Sequence, residues 1–162
     1  MRRLPDLAYR IVGRFSVTRL DQWLHPVMYR LTGGRWIFGR VLGCETILLT
    51  TVGHRSGRER VVPLFAFADG DRWVVVASRG GSAHLPGWYH NLAARPLVGV
   101  RYRRASWAAL ASVAEGSERA RLWDLVNRSY PGYALYQERT PHGIPVVILS
   151  PEVGGETPAG GA

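Results

Sequence analysis

Residues 50–63 read TTVGHRSGRERVVP, two apolar runs rich in β-branched residues on either side of a polar turn. The turn, residues 53–57, begins and ends with glycine, which permits positive φ angles and leaves backbone N–H groups accessible. Arg58 and Arg60 follow at strand spacing, so both are expected on one face. Together with Arg55 they supply the forked donors that suit phosphate. The stretch predicts a β-hairpin whose turn either binds a phosphate-bearing anion or is merely solvated.

Short strand patterns continue on both sides of this hairpin. Pro63 in the second strand indicates an edge or a bulge, because proline donates no ladder hydrogen bond. Ser117 is a candidate cap for a later helix. Strands are predicted at residues 46–52, 58–68, 72–78, 97–103, 106–115 and 144–149, and helices at 86–94 and 117–128. This pattern predicts a mainly β fold with helices (α+β), a small antiparallel β-barrel with N-terminal and C-terminal helices.

The 162 residues suit one barrel domain with an addition at each end. Residues 1–34 are predicted as an N-terminal amphipathic helical segment, 35–150 as the barrel domain, and 151–162 as a disordered, Gly/Pro-rich tail. The helix within residues 1–16 is basic, so it is expected either to lie on an anionic membrane surface or to pack on the domain. No apolar run reaches membrane-spanning length, and no signal peptide is recognised. With a single cysteine, this favours a cytoplasmic setting.

The charge narrows the classes of partner. The net charge is +9, and all 21 basic residues are arginine. The absence of lysine excludes Schiff-base chemistry and a P-loop lysine. A basic surface fits nucleic acid, an anionic membrane or an anionic cofactor. Nucleic acid is disfavoured because the strands lack a regular aromatic stacking platform. No zinc or hydrolase motif occurs, so no metal site is predicted.

Three further motifs offer chemistry, and each has a plain structural alternative. Residues 77–81, ASRGG, either let a backbone approach a flat ligand or form an ordinary loop. Residues 86–92, PGWYHNL, either present helix N–H groups to an anion or pack Trp88 and Tyr89 in the core. The tyrosines of residues 130–136 share one helix side, and they either wall a pocket or pack on the barrel.

The order of these motifs resembles the deazaflavin-dependent nitroreductase family of actinobacterial type. The resemblance runs from about Tyr29 to Leu149 and rests on the hairpin turn, ASRGG, PGWYHNL, the tyrosine segment and IPVVIL. It implies a split β-barrel that binds coenzyme F420, a deazaflavin with a phosphate and an oligoglutamate tail. It also implies hydride transfer from reduced F420 to a quinone-like or nitroaromatic acceptor. Some members lie on the inner face of the plasma membrane through an N-terminal amphipathic helix.

The same resemblance assigns site residues. Near the phosphate and tail would lie His54, Arg55, Ser56 and Arg60; along the deazaflavin ring Ala77, Ser78, Gly80 and Gly81; completing the groove Trp88, Tyr89 and Asn91; and facing the substrate Tyr130, Tyr133 and Tyr136. A hydroxyl of Ser78 or Tyr133 would stabilise negative charge developing on the acceptor. The family commonly has an Arg-Lys pair where this chain has His54-Arg55, which makes one contact pH-dependent or lost.

Two other functions use the same groove. A non-catalytic carrier of F420 would bind the cofactor without turnover. An FMN-dependent split-barrel oxidoreductase would use a different flavin, although the arginine-rich turn suits a longer anionic tail. Split barrels often pair, so a homodimer is a further expectation.

Overall fold

A computed structural model describes residues 44–152 of the chain. In that part, antiparallel strands close into a barrel in the order β1-β2-β3-β6-β5-β4, and β4 pairs back onto β1. The strands are β1 (Glu45–Val52), β2 (Glu59–Asp69), β3 (Arg72–Val76), β4 (Leu97–Tyr102), β5 (Ala105–Val113) and β6 (Val146–Pro151). The helices are α1 (Gly87–Ala94), α2 (Gly116–Ser129) and α3 (Gly132–Gln137).

The barrel interior is an apolar cluster built from alternate residues of the strands. On β4, for example, Val98 and Val100 are buried while Arg101 is exposed. This is the period-two pattern of a strand with one buried face. Trp73, Trp88 and Trp107 belong to the cluster. Since Trp88 comes from α1, this helix packs against the barrel interior rather than only on its outer wall.

Strands β2 and β3 pair over only part of their length. Their ladder joins residues 66–69 to residues 72–75, and β2 continues along β1 alone over residues 59–65. After β3 the chain stays with β6, because the Ala77 N–H donates to the carbonyl just before β6 at 3.0 Å. The barrel is therefore split between β2 and β3. Pro63 lies in the one-sided part of β2, the edge position that the sequence predicts, and the register passes it without a bulge.

A second apolar cluster covers the outer wall of the barrel. It joins Phe67, Val74 and Ile148 of the strands to the buried face of α2 and to the tyrosine segment. Leu122 and Val126 are fully buried on α2, four residues apart on one helix face. The outer layer thus holds the tyrosines against the barrel.

Asp69 ties the β2–β3 hairpin to α2. Its carboxylate accepts hydrogen bonds from both terminal nitrogens of Arg121, at 2.8 and 2.9 Å, and from Arg72 at 2.6 Å. Arg72 also donates to Glu118 at 3.0 Å. The hydrogen bonds from Arg121 and then Arg72 lower the pKa of Asp69 from 3.8 to about 2.

The predicted fold class is confirmed, with differences at several boundaries. Ser117 does not cap α2, because the helix begins at Gly116 with Glu115 as its N-cap residue and without a side-chain capping bond. β3 ends at Val76, two residues before the predicted end. β6 continues to Pro151, and the Glu152 N–H donates to Ala108 O at 3.0 Å. Ordered structure thus reaches two residues into the predicted tail.

The remaining domain predictions fall on other parts of the chain. The N-terminal helical segment of residues 1–34 and most of the tail lie outside the described residues. Within residues 44–152, no helix has the length and apolar character needed to cross a membrane.

Candidate functional site

The split side of β2 presents a cationic and apolar face at the mouth of the barrel. Arg60, Val62 and Leu64 alternate with residues that point the other way, so they share one face. Val62 and Leu64 are half-buried and pack on the interior cluster, whereas Arg60 is exposed. Tyr89 of α1 is also half-buried and packs on the same cluster. This side of β2 therefore joins a half-buried apolar patch to an exposed guanidinium group.

The turn that precedes β2 is closed by its own backbone. The Gly53 N–H donates to Arg58 O and the Gly57 N–H donates to Gly53 O, both at 2.8 Å. Gly57 has φ +65°, which glycine adopts without strain. A Cβ at Gly53 would lie 2.6 Å from the rotatable Ser56 hydroxyl and 3.2 Å from Arg58 O, so a side chain there would crowd the turn. The turn holds Arg55 at its exposed tip.

Ser56 has a structural contact within this turn. Its hydroxyl oxygen accepts a long hydrogen bond of 3.4 Å from the Arg58 N–H. The residue is exposed, so the hydroxyl also stays within reach of a ligand. The predicted contact of Ser56 with the phosphate remains a prediction.

Asn91 connects α1 to the turn. Its amide oxygen accepts hydrogen bonds from the His54 backbone N–H at 3.0 Å and from the His54 ring Nδ1 at 2.9 Å. Its amide nitrogen donates to the Thr51 hydroxyl at 3.0 Å. Asn91 is buried, and the ring of exposed His90 lies 6.1 Å from the ring of His54, centroid to centroid. The structure thus brings the turn and α1 together.

The loop after β3 turns through three successive residues with positive φ. Arg79, Gly80 and Gly81 have φ of 43°, 66° and 82°. The Gly81 N–H donates to Ser78 O at 2.9 Å, and Ser78 itself is buried. The Ser82 N–H donates to Arg79 O at 3.3 Å, so the loop is closed by its own backbone, and its two glycines leave room for close approach of a flat ligand.

This loop packs directly on the tyrosine segment. A Cβ at Gly81 would lie 3.3 Å from the Cα of Tyr136 and 3.4 Å from two of its side-chain atoms. Nearby, the His142 ring Nε2 lies 3.0 Å from Ala83 O, a second link between the loop and the chain after α3. The residues predicted for the ring and for the substrate are therefore neighbours.

The three tyrosines form a buried aromatic group. Tyr130, Tyr133 and Tyr136 are 1%, 4% and 4% exposed, and their ring centroids are 5.0 to 6.2 Å apart. The hydroxyls of Tyr130 and Tyr136 are hydrogen-bonded at 3.0 Å. Gly132 permits this packing, because a Cβ there would lie 2.5 Å from the Tyr130 ring. The rings belong to the outer apolar cluster, so a role toward substrate remains a prediction.

Burial also sets the protonation of this group. It raises the pKa of Tyr133 well above 10.0, with smaller contributions from Cys44 and Tyr136. The Tyr133 hydroxyl therefore keeps its proton and is able to donate a hydrogen bond, but it is not a base. Burial likewise raises the pKa of the Cys44 thiol to about 12, which leaves it un-ionised and unreactive.

Trp88 belongs to the barrel core and is only 8% exposed, so most of its side chain is unavailable to a ligand. The half-buried residues Val62 and Leu64 were not singled out from the sequence. Their alternation with Arg60 along β2 indicates that all three residues share one face of the strand. Thr51, the partner of Asn91, offered no such signal, because the contact spans 40 residues.

The arrangement fits a cofactor with a flat ring and an anionic tail. The exposed arginines at one end match phosphate, and the glycine loop at the other permits close approach of a ring. A gap in the β2–β3 ladder lies between them. Among residues 44–152, no group of three or more His, Cys, Asp or Glu side chains is arranged to hold a metal ion.

Comparisons with known proteins identify the family of the chain. The family model of the F420H(2)-dependent quinone reductases matches residues 22–151. An F420H(2)-dependent quinone reductase of Mycobacterium tuberculosis (strain ATCC 25618 / H37Rv) is 39% identical over 131 residues, which cover 78% of this chain and 87% of that protein.

Two solved structures are similar to the chain. The structure of an F420-H2 dependent reductase (FDR-A) is 39% identical, with a TM-score of 0.61, over 65% of this chain and 93% of that chain. Another, described as a domain-swapped dimer, is 33% identical, with a TM-score of 0.63, over 82% of this chain and 100% of that chain. The resemblance found in the sequence is confirmed. The chain therefore belongs to the F420H(2)-dependent quinone reductase family, a family of oxidoreductases that use coenzyme F420.

Proposed function

We propose that this protein transfers a hydride from reduced F420 to a quinone, with its own cofactor held in the groove between β2, the loop of residues 77–81 and α1. The observation that carries the proposal is the Arg60, Val62 and Leu64 face, where apolar walls end in cations beside the split ladder. Reduced F420 supplies the hydride. The protein supplies binding, orientation and electrostatics.

The phosphate end of the groove would be formed by the turn. Arg55 and Arg60 are exposed, and their forked guanidinium groups would bind the phosphate and tail. His54 and Ser56 would lie at the same end. Because Glu59 is also exposed there, the local field is less positive than the arginines alone suggest.

The ring end of the groove would be formed by the loop after β3. Ala77 and Ser78 are buried, and Gly80 and Gly81 keep the backbone free of side chains. A flat ring placed there would contact backbone rather than side chains. Tyr89 would cover the ring from α1, beside the core residue Trp88.

The acceptor would approach the ring from the side of the tyrosines. Gly81 packs on Tyr136, so an acceptor above the ring lies near the tyrosine segment. Tyr133 stays protonated because burial raises its pKa, and Ser78 carries a second hydroxyl. Either hydroxyl would donate to an oxygen that gains negative charge as the hydride arrives. The same geometry suits the oxygens of a nitroaromatic compound, a second class of acceptor.

Assembly and location extend this proposal. The relative described as a domain-swapped dimer supports a homodimer for this chain. Residues 1–16 carry the basic amphipathic pattern that suits the inner face of the plasma membrane, with the barrel in the cytoplasm.

A binding titration with F420 and FMN tests the cofactor. We expect saturable quenching or shifting of deazaflavin fluorescence and much weaker binding of FMN, whereas stronger binding of FMN would contradict the proposal. Oxidation of reduced F420 by menadione then tests catalysis. Tight binding of F420 without oxidation by any quinone or nitroaromatic compound would identify a carrier instead of an enzyme.

A further inference from the structure

Asn91 lies where α1 meets the turn of residues 53–57, and its side chain is committed to the protein. The residue is 7% exposed. Its amide oxygen accepts two hydrogen bonds from His54, and its amide nitrogen donates to Thr51. These contacts join positions 37 and 40 residues apart in sequence.

The orientation of the amide follows from its partners. The His54 backbone N–H is always a donor, so the Asn91 atom that faces it is the oxygen. That oxygen has two lone pairs, and His54 occupies both. It has no acceptor capacity left for a ligand.

The same contact fixes the proton on the His54 ring. Because Nδ1 faces an acceptor at 2.9 Å, Nδ1 carries the hydrogen. The Nε2 atom of the exposed ring is then a bare acceptor in the neutral form and a charged donor in the protonated form. A phosphate oxygen is an acceptor, so only the protonated ring would bind it.

We propose that Asn91 is a positioning residue: it holds His54 so that the ring presents Nε2 at the phosphate end of the groove and makes affinity for phosphate depend on pH. The inference rests on the proposed function. According to this inference, Asn91 does not contact the cofactor directly, and His54 contacts the phosphate only when its ring is protonated. Arg55, Arg58, Glu59 and Arg60 follow His54 along the turn and β2, and the ring of His90 in α1 lies 6.1 Å from the ring of His54.

Two probes separate phosphate binding from ring binding. F420 carries the phosphate and tail, while the deazaflavin riboside has the same ring without them. Both probes share the deazaflavin ring, so any effect of pH on that ring cancels in the ratio of their dissociation constants. Imidazole groups change charge between pH 5 and 8, so we expect wild-type protein to prefer F420 more strongly at about pH 5.5 than at about pH 8.

Substitutions at Asn91 test the positioning role. In Asn91→Ala, the preference for F420 at about pH 5.5 should fall roughly tenfold, while affinity for the riboside changes little. In Asn91→Asp, the carboxylate still accepts from His54, and the Thr51 hydroxyl turns to donate to it. This variant should still prefer F420 over the riboside, and the preference should persist to higher pH, because the carboxylate that replaces the amide stabilises the protonated imidazole.

Two further variants control the interpretation. His54→Ala should flatten the pH dependence, and adding Asn91→Ala to it should produce no further change in pH dependence. His90→Gln should leave the pH dependence intact, although His90 is the neighbouring histidine. Circular dichroism and thermal unfolding identify any variant that fails to fold, and in that case the Asn91→Asp profile decides.

The contrary results are distinct. Equal loss of both probes in Asn91→Ala would overturn the inference by assigning Asn91 to the ring. An unchanged ratio in that variant, or a pH dependence that follows His90, would overturn it as well. Failure of wild-type protein to bind F420 would instead overturn the proposed function itself, and this inference with it.

Discussion

Arg55 and Arg60, the proposed phosphate ligands, lie on different elements. Arg55 is at the tip of the turn, and Arg60 is in β2 opposite Thr51. We expect Arg55→Ala and Arg60→Ala each to weaken F420 binding about tenfold, since each removes charge-assisted hydrogen bonds. Fluorescence titration measures the change. The riboside without phosphate should bind both variants as it binds wild type.

The matched control for these variants is Arg104→Ala, which removes the same charge from the exposed β4–β5 turn. It separates a local contact from the effect of net charge. If Arg104→Ala weakens F420 binding as much as the groove variants do, long-range attraction explains the affinity and the turn is only solvated.

The Tyr133 hydroxyl offers a test of the acceptor side. Burial raises the pKa of Tyr133, so the group donates without ionising. We expect Tyr133→Phe to lower turnover with menadione several-fold while the dissociation constant of F420 stays nearly constant. Steady-state kinetics and titration give the two values. A loss of F420 affinity without a loss of turnover would move Tyr133 to the cofactor groove.

Single residues explain why part of the site was predictable. The arginine turn could be predicted because its glycines, arginines and flanking strands lie within fourteen consecutive positions, residues 50–63. Asn91 could only be assigned by resemblance, since its partners come from a different element. Burial of Tyr130, Tyr133 and Tyr136 was one of two open alternatives, because helical spacing does not distinguish a pocket wall from a packed face.

Among the elements, the β2–β3 hairpin and α2 are joined by a charge cluster with a defined pH range. The pKa of Asp69 is lowered from 3.8 to about 2. Its ion pairs therefore stabilise the fold fully above pH 3.8, and this contribution is lost as the pH falls toward 2. We expect Asp69→Asn to reduce the free energy of unfolding by about 1 kcal/mol near neutral pH, a value reduced because the arginines are partly exposed to solvent.

Urea unfolding across a pH series measures this difference. The gap between Asp69→Asn and wild type should shrink as the pH falls through the range between 3.8 and about 2. Asp71→Asn is the matched control, since Asp71 is exposed in the same turn. A gap that stays constant with pH would mean that Asp69 acts by packing or turn geometry rather than by charge.

Most strands and helices could be predicted from the sequence, but the point where β2 separates from β3 could not. Period-two alternation and hairpin turns mark the strands locally. The point where β2 leaves β3 depends on Ala77 joining the β6 side, a choice made by strands far apart in sequence. Pro63 was the local signal of that edge. The start of α2 was misplaced because Ser117, a good capping residue, lies inside the first turn.

At the scale of the whole molecule, the proposed cofactor site and the proposed membrane-binding segment use arginines from separate parts of the chain. Arg55 and Arg60 are exposed on the barrel, while residues 1–16 contain four arginines and six apolar residues at helical spacing. A membrane surface would bring a lipid-soluble quinone to the enzyme. Membrane binding and cofactor binding are therefore separable properties, each with its own variants.

Partitioning onto vesicles tests the membrane proposal. We expect the full chain to bind vesicles rich in anionic lipid, to bind neutral vesicles weakly, and to lose binding as salt is raised. Deleting residues 1–16 should abolish binding without changing F420 affinity. A full-length control with glutamine at positions 2, 3, 10 and 14 retains the apolar face and removes the charge. Partitioning that persists after the deletion would contradict the proposal, because it would show that residues 1–16 are not the anchor.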